Sequence, residues 1–280
     1  MTSIKIVTDS TADLCEETLR KYNISVLPLS IAIDGTVYRD RLDIQPDEFI
    51  AKMESATELP KSSQPPLGAF IKLYEELTAD GSELISIHLS GELSGTFQTA
   101  VSASKMVDAT IRVVDSMYIS KGLGFQVLRA AALAKQGLTA DEIIKDLEDV
   151  RNRTSLYVTI DHFENLIKGG RIGRGKALIG SLLKVKPIAR LEDGIYTPEK
   201  NVRSTNQLVR YLTGRFLSTV KGKTVQAIGI AHADALDLAN RLKASLLEHF
   251  PRADIDISYT TPIISVHTGK GAIGFTFYTD

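Results

Sequence analysis

An α/β fold in two domains is predicted by this chain, with a largely parallel N-terminal sheet flanked by helices and a mixed α/β C-terminal half. Three observations predict it. Short β-branched runs alternate with helical periodicities, which implies parallel strands joined by crossover helices. The arrangement strand, Asp-Ser, helix occurs twice, at Asp9-Ser10 and Asp115-Ser116. The length, 280 residues with 43% hydrophobic and 24% charged, suits two cores of ordinary size better than one.

The run Ile4 to Thr8 is the first strand, and the polar cluster Asp9 to Asp13 is placed to cap a helix begun by Leu14 and Glu16. A second strand, Ser25 to Ile33, ends at Asp34-Gly35, a hairpin signal with Val37 and Tyr38 beyond it. Helical periodicity covers Asp47 to Met53 and, after Pro65-Pro66, Leu67 to Leu77. The strand Leu84 to Leu89 leads into the loop Ser90 to Thr96 and a helix towards Val107. Ile111 to Val114 is a strand, followed by helices at Gly122 to Ala134 and Ala140 to Asp149. The polar stretch Arg151 to Thr154 marks the passage between domains, expected at residues 1–153 and 154–280.

In the second half, Leu156 to Ile160 is a strand, Phe163 to Lys168 a short helix and Gly169 to Gly175 a glycine-rich basic loop. Ala177 to Leu183 is helical, and Lys186 to Leu191 pairs with Ile195 to Glu199 across Glu192-Asp193-Gly194. A helix from Thr205 to Leu217, a strand at Val225 to Ala231, a helix at Leu236 to Leu247 and strands at Ile255 to Tyr259 and Ile273 to Tyr278 complete the chain. In parallel α/β sheets the loops at the carboxyl ends of the strands line the ligand crevice, and the Ser-rich loops of the first half sit at those ends.

Composition narrows the function. A net charge of -1 without a basic stripe argues against nucleic acid. The lone Cys15 excludes a disulfide framework and fits a reducing compartment. No apolar run approaches the roughly 20 residues of a membrane span, and the start lacks a signal-peptide core, so a cytoplasmic location is expected. The five histidines never pair at i, i+4, so no metal site is expected.

Three motifs invite enzymatic readings. Gly269-Lys270-Gly271-Ala272-Ile273-Gly274 spells the dinucleotide fingerprint, but six residues remain after it and the fingerprint needs a helix, a strand and an acid about 20 positions on. It reads as a glycine turn. Gly170 to Lys176 nearly matches a phosphate-binding loop, but Ala177 stands where a hydroxyl must hold magnesium. Ser94 with His267 allows a serine hydrolase in chain order, yet Glu92 and Thr96 occupy the glycine positions of a nucleophile elbow, and Ser94 equally reads as a helix N-cap.

Four segments act together: Val7-Thr8-Asp9-Ser10-Thr11-Ala12-Asp13, Ser62-Ser63-Gln64-Pro65-Pro66, Leu89-Ser90-Gly91-Glu92-Leu93-Ser94-Gly95-Thr96 and Gly169-Gly170-Arg171-Ile172-Gly173. In that order and spacing the set resembles the bacterial DegV family over essentially the whole chain. The family usually has Thr-Ser-Gln-Pro-Ser where this chain has Ser62 to Pro66, which keeps a hydroxyl at Ser62 and loses a methyl group.

The resemblance implies a fatty-acid-binding subunit of fatty acid kinase, with no turnover or cofactor of its own. A long-chain fatty acid would lie in a buried tunnel, its carboxylate gripped by Ser62, Ser94 and His267, with Ser63 a neighbouring donor. Arg171 and Arg203, with Arg174 as a weaker companion, match basic positions for kinase docking or phosphoryl transfer. Asp9, Ser10, Gly95 and Thr96 shape the loops beside the ligand. The kinase catalytic subunit would supply ATP and magnesium and make an acyl-phosphate for phospholipid synthesis.

Physics gives the same division of labour. At about 0.8 kcal/mol per buried CH₂, a tail within the range of about 14–20 carbons gains on the order of 12 kcal/mol gross, and ordering returns much of it. The tail supplies affinity and a few hydroxyl donors orient the head. The alternatives are a stand-alone hydrolase on Ser94 and His267, or a lipid carrier or regulator without a kinase partner. From the residues alone, Ser62 and Ser63 also read as turn residues, His267 as a core histidine, and Arg171, Arg174 and Lys176 as a solvated cluster.

Overall fold

The structure, a computed structural model, describes residues 3–161, 164–173 and 185–280. Strand β1 (Ile4–Asp9) opens the chain and is followed by a single 3-10 turn at Ser10–Ala12, helix α1 (Glu16–Lys21) and β2 (Ile24–Leu27). Next come β3 (Ser30–Ile33), β4 (Thr36–Arg39), α2 (Pro46–Ser55), β5 (Lys61–Ser63), α3 (Leu67–Thr78) and β6 (Glu83–His88). Then α4 (Thr96–Ser104), β7 (Ile111–Asp115), α5 (Lys121–Lys135) and α6 (Ala140–Arg153) complete the first half. The second half holds β8 (Thr154–Thr159), α7 (Glu164–Lys168), the hairpin β9 (Lys186–Glu192) and β10 (Ile195–Val202), α8 (Thr205–Val220), β11 (Val225–His232), α9 (Leu236–Leu247), β12 (Ile255–Tyr259), α10 (Pro262–Thr268) and β13 (Ile273–Thr279).

Strands β2-β1-β6-β7 form an all-parallel sheet, β4-β3-β5 a small antiparallel one, and β10-β9-β8-β13-β11-β12 a mixed six-stranded sheet. The α/β class and the parallel-then-mixed arrangement follow the sequence pattern. Helix α6 ends at Arg153 and β8 begins at Thr154, so the polar stretch there is a helix end running directly into a strand.

Two local expectations are corrected. Ser25 to Ile33 is two strands in two sheets: β2 runs parallel to β1, and after Pro28, which has no N–H for a ladder, β3 joins β4 and β5. The cluster Asp9 to Asp13 does not cap α1, whose N-cap is Cys15 with no side-chain capping bond to the helix backbone. Asp9 caps the 3-10 turn instead, accepting from Thr11 N at 3.1 Å. The Asp-Gly turns behave as read: Asp34 and Gly35, and Asp193 and Gly194, all take positive φ at hairpin tips.

The repeated Asp-Ser loops share one device. Each carboxylate binds the N–H two residues on, Asp9 that of Thr11 and Asp115 that of Met117 (2.8 Å), an Asx turn. Each also reaches sideways to the loop after β6: Asp9 accepts from Leu89 N (3.0 Å) and Asp115 from Gly91 N (3.1 Å). Because β6 lies between β1 and β7, the Leu89–Gly91 backbone is held from both flanks.

One apolar core joins the halves, including Ile87 and Leu123 from the first and Leu156 and Ile264 from the second. At its edge sits Asp13, in the left-handed conformation (φ 49°) and buried. Its carboxylate accepts from Thr261 N (2.9 Å), the Thr260 hydroxyl (2.9 Å) and the Ser120 hydroxyl, and its own carbonyl takes Lys121 Nζ at 2.9 Å. Asp13→Ala leaves two hydroxyls and an amide buried without an acceptor, so denaturant unfolding should show a loss of about 2–4 kcal/mol. A loss within error of zero would mean that this clasp is not what joins the halves.

Candidate ligand-binding site

Helix α10 carries the site's far partner. Thr261-Pro262 starts it in the usual way, with the proline at the first helical position where no N–H is missed. Two buried carboxylates face its first turn: Asp13 takes Thr261 N and Asp40 takes Ile263 N (3.4 Å), where negative charge complements the helix dipole. Ile264, His267 and Thr268 then fall at i, i+3 and i+4 on one face.

That face borders a cavity of about 280 Å³. Its apolar wall comes from Leu29, Leu89, Leu93, Ile119, Tyr196, Ile263 and Ile264; its polar rim from Ser62, Ser63, Gln64, Ser94, Arg171, His267 and Thr268. A smaller space of about 20 Å³ adjoins it, sharing Ile119, Tyr196, Ile264 and Thr268 and continuing to Leu156, Val158 and Ala272. The smaller space is lined mainly by apolar side chains, with the hydroxyl residues Ser120, Thr260 and Thr268 also on its wall.

Strand pairing brings Ser62 to the rim, opposite Ile31 in the β3–β5 ladder. Its Oγ lies 2.8 Å from His267 Nε2, a contact between residues 205 apart in sequence. Burial pushes His267 down to about 4, assisted by the Arg171 cation, so the ring is neutral at pH 7. His267 Nδ1 is buried and has no partner among the described residues. Gly169 makes room for the ring: a Cβ there would fall 2.5 Å from His267 Nδ1. Arg171 is held by two carbonyls, its Nε donating to Leu93 O (3.2 Å) and a terminal nitrogen to Gly169 O (2.6 Å). It stands at the rim as a positioned cation, with no carboxylate paired to it among the described residues.

Five of the expected residues meet here: Ser62, Ser63, Ser94, Arg171 and His267. Ser94 Oγ bonds the Thr96 hydroxyl (2.9 Å) and accepts from Thr96 N (3.3 Å), while Gly95 is the N-cap of α4. Gly95 packs so closely on Gln64 Oε1 that a Cβ would collide with it. Asp9 and Ser10 stand behind the wall: Asp9 holds Leu89 N, and Ser10 Oγ accepts from Leu29 N (3.2 Å). Arg203 is exposed beyond β10 and does not border the cavity. Arg174, His162 and the segment Ala177 to Leu183 lie outside the described residues.

A hydrolytic arrangement needs a serine on a histidine that an acid orients. Here the serine on His267 is Ser62, Ser94 bonds Thr96, and His267 Nδ1 meets no carboxylate among the described residues. A Ser-His-Asp chain does exist, Ser86 to His88 Nε2 (2.7 Å) and His88 Nδ1 to Asp9 Oδ2 (3.0 Å), but Tyr74 closes its end (2.8 Å) and all four are fully buried. It braces the sheet beneath Leu89 and meets no substrate.

Sequence reasoning missed Gln64, Tyr196, Asp13, Asp40 and α10 itself. Thr261-Pro262 was the available signal for the helix; a buried acid in a loop has none.

The family model described as "Uncharacterised protein, DegV family" matches residues 3–280. A DegV domain-containing protein of Staphylococcus aureus is 47% identical, covering 98% of each chain, and one of Listeria monocytogenes is 44% identical over the full length of both. Among solved structures, a fatty-acid-binding DegV family protein of Thermus thermophilus superposes with a TM-score of 0.94 at 29% identity. DegV, a fatty acid binding protein of Bacillus subtilis, does so with 0.92 at 32%. Both cover 100% of each chain.

Burial pushes Asp40 up from 3.8 to about 7, against the pull of Ser10, Ile263 N–H and Arg41 and with Asp13 adding to the rise. A folded value above the unfolded one means that ionised Asp40 opposes folding at pH 8, and that this penalty fades as pH falls from about 7 towards 4. Asp40→Asn should therefore stabilise the protein at pH 8 by on the order of 2–4 kcal/mol, by about half as much or less at pH 5, and little near pH 4, measured by urea unfolding. Equal effects at pH 8 and pH 4 would contradict the assignment.

Proposed function

The chain belongs to the DegV family, and from that premise we propose that it binds a long-chain fatty acid and presents the carboxylate to a separate fatty acid kinase. The observation that carries this reading is the Ser62–His267 pair at the polar rim of an apolar cavity. Supporting it, the relatives from Thermus thermophilus and Bacillus subtilis that share the fold bind fatty acids. The two units, residues 1–153 and 154–280, would close on the ligand from opposite sides.

The head group meets hydroxyls of Ser62, Ser94 and Ser63 and the neutral imidazole of His267. Such donors fix a carboxylate without burying it in a bidentate ion pair. One carboxylate oxygen then stays free to attack the γ-phosphorus of ATP held by the partner: an O–P bond forms, the bond to ADP breaks, and an acyl-phosphate results. Arg171 at the rim offsets charge on the transferring phosphoryl group, and the family resemblance gives Arg174 a weaker part in the same role. Arg203, exposed and away from the cavity, serves as a docking contact. This chain contributes the substrate and its orientation, in the cytoplasm where ATP is available; the chemistry belongs to the kinase.

Delipidated protein should bind palmitate by calorimetry, with Ser62→Ala and His267→Ala each weakening it about 10–100-fold, the loss of a charge-assisted hydrogen bond. Arg203→Glu should leave that binding intact and abolish acyl-phosphate formation with the kinase subunit. Protein that takes up no long-chain acid ends the reading; full activity of Arg203→Glu ends only the docking assignment, and unchanged binding without any kinase response favours a lipid carrier.

A further inference from the structure

Behind the wall of the ligand cavity lies a second, separate cavity of about 100 Å³, and no residue borders both. Its walls are mostly apolar, with Leu14, Leu19, Val26 and Pro28 among them. The exposed side chains of Leu42 and Glu16 stand at its outer edge. Asp9, Ser10 and Asp40, all buried, border it on the inner side.

Asp9 is fully engaged, with the amides of Thr11 and Leu89 and with His88. Asp40 is not. It is 1% exposed, and one oxygen accepts from Ile263 N (3.4 Å) while Oδ2 has no partner among the described residues. Burial pushes this carboxyl up to about 7, against the pull of Ser10, Ile263 N–H and Arg41 and with Asp13 adding to the rise. At pH 8 most of it is therefore ionised. Arg41, the one cation bordering this cavity, donates from Nη1 to Leu14 O (2.8 Å). An acid left so in an apolar hollow is answered by a donor that brings positive charge and an apolar body. The volume sets its size at roughly four or five heavy atoms, since a cavity of about 150 Å³ encloses benzene.

Three amides link the two cavities. Leu29, Leu89 and Ile263 line the ligand cavity, and their N–H groups donate to Ser10, Asp9 and Asp40, which border the second. Asp40 N–H in turn donates to Leu29 O (2.9 Å). The Asp40–Ile263 bond is the longest of these, and it holds the helix that carries His267. A cation at Oδ2 keeps Asp40 ionised, and an ionised carboxylate binds an amide more strongly than a neutral carboxyl does. Resting in its second half on the proposed fatty-acid function, we propose that this cavity is an effector site for a small alkylammonium cation, whose binding at Asp40 firms α10 and tightens the hold on the fatty acid. The coupling is reciprocal, so bound fatty acid tightens the cation by the same factor.

The test titrates n-butylamine, 1-butanol and butyrate into delipidated protein at pH 8, with and without palmitate, following backbone amide shifts by NMR. The amine should saturate, shift the amides of residues 9–14 and 40–42, and bind at least about 10-fold more tightly than the alcohol or the acid. Asp40→Asn keeps an oxygen for Ile263 N and should lose that preference. Palmitate affinity, measured by calorimetry, should rise about 3-fold or more once the amine saturates. Equal binding of amine and alcohol, shifts that never saturate, or a preference kept by Asp40→Asn overturns the site and leaves the hollow to water. Unchanged or weaker palmitate binding in the presence of the amine overturns the coupling. Protein that takes the amine as described but no palmitate upholds the site and ends both the coupling and the fatty-acid reading beneath it.

Discussion

A helix of seven residues cannot hold its own place, and α10 is held by carboxylates from the other half of the chain. Asp13 and Asp40 reach from loops of the N-terminal half to the amides of Thr261 and Ile263. Removing ionisable groups from water is expensive unless the lost hydration is replaced, and here amides, hydroxyls and the helix dipole replace much of it. The replacement is fuller for Asp13, whose carboxylate has three donors, than for Asp40, which keeps Oδ2 without a partner. Burial is the main reason that Asp40 is pushed up to about 7, and it pushes Asp13 up as well in spite of those three donors. The whole candidate site depends on this arrangement, because the other end of α10 delivers His267 to Ser62.

The rim and the wall answer different needs. Leu29 and Leu89, two wall residues, are fixed through their backbone amides by Ser10 and Asp9, so the side chains are free to be chosen for the cavity alone. At the rim, burial keeps His267 neutral, and Gly169 gives the ring the space to stand there. A neutral ring and hydroxyls grip an anion more loosely than a guanidinium would, and Arg171 on the same rim has two of its nitrogens bonded to the Leu93 and Gly169 carbonyls.

Local chemistry was legible wherever it is settled within a few residues. The Asp34-Gly35 and Asp193-Gly194 hairpins, the parallel strands and most helices follow from turn residues and hydrophobic period. Ser25 to Ile33 misled because its apolar pattern continues across Pro28 while the chain changes sheet. Family resemblance brought Ser62, Ser94, Arg171 and His267 together, but periodicity alone had no means of pairing residues 205 apart. Asp13 and Asp40 look in sequence like any loop acids; only the fold shows that they are buried under α10.

The central claim is a head-out, tail-in orientation, and a crystal structure of the protein grown with palmitate measures it directly. The account predicts carboxylate oxygens within hydrogen-bond distance of Ser62 Oγ and His267 Nε2, with the chain running past Ile119 and Ile264. A palmitate whose carboxylate lies among Leu156 and Val158, or one bound elsewhere on the protein while the Ser62–His267 cavity stays shut, would contradict it.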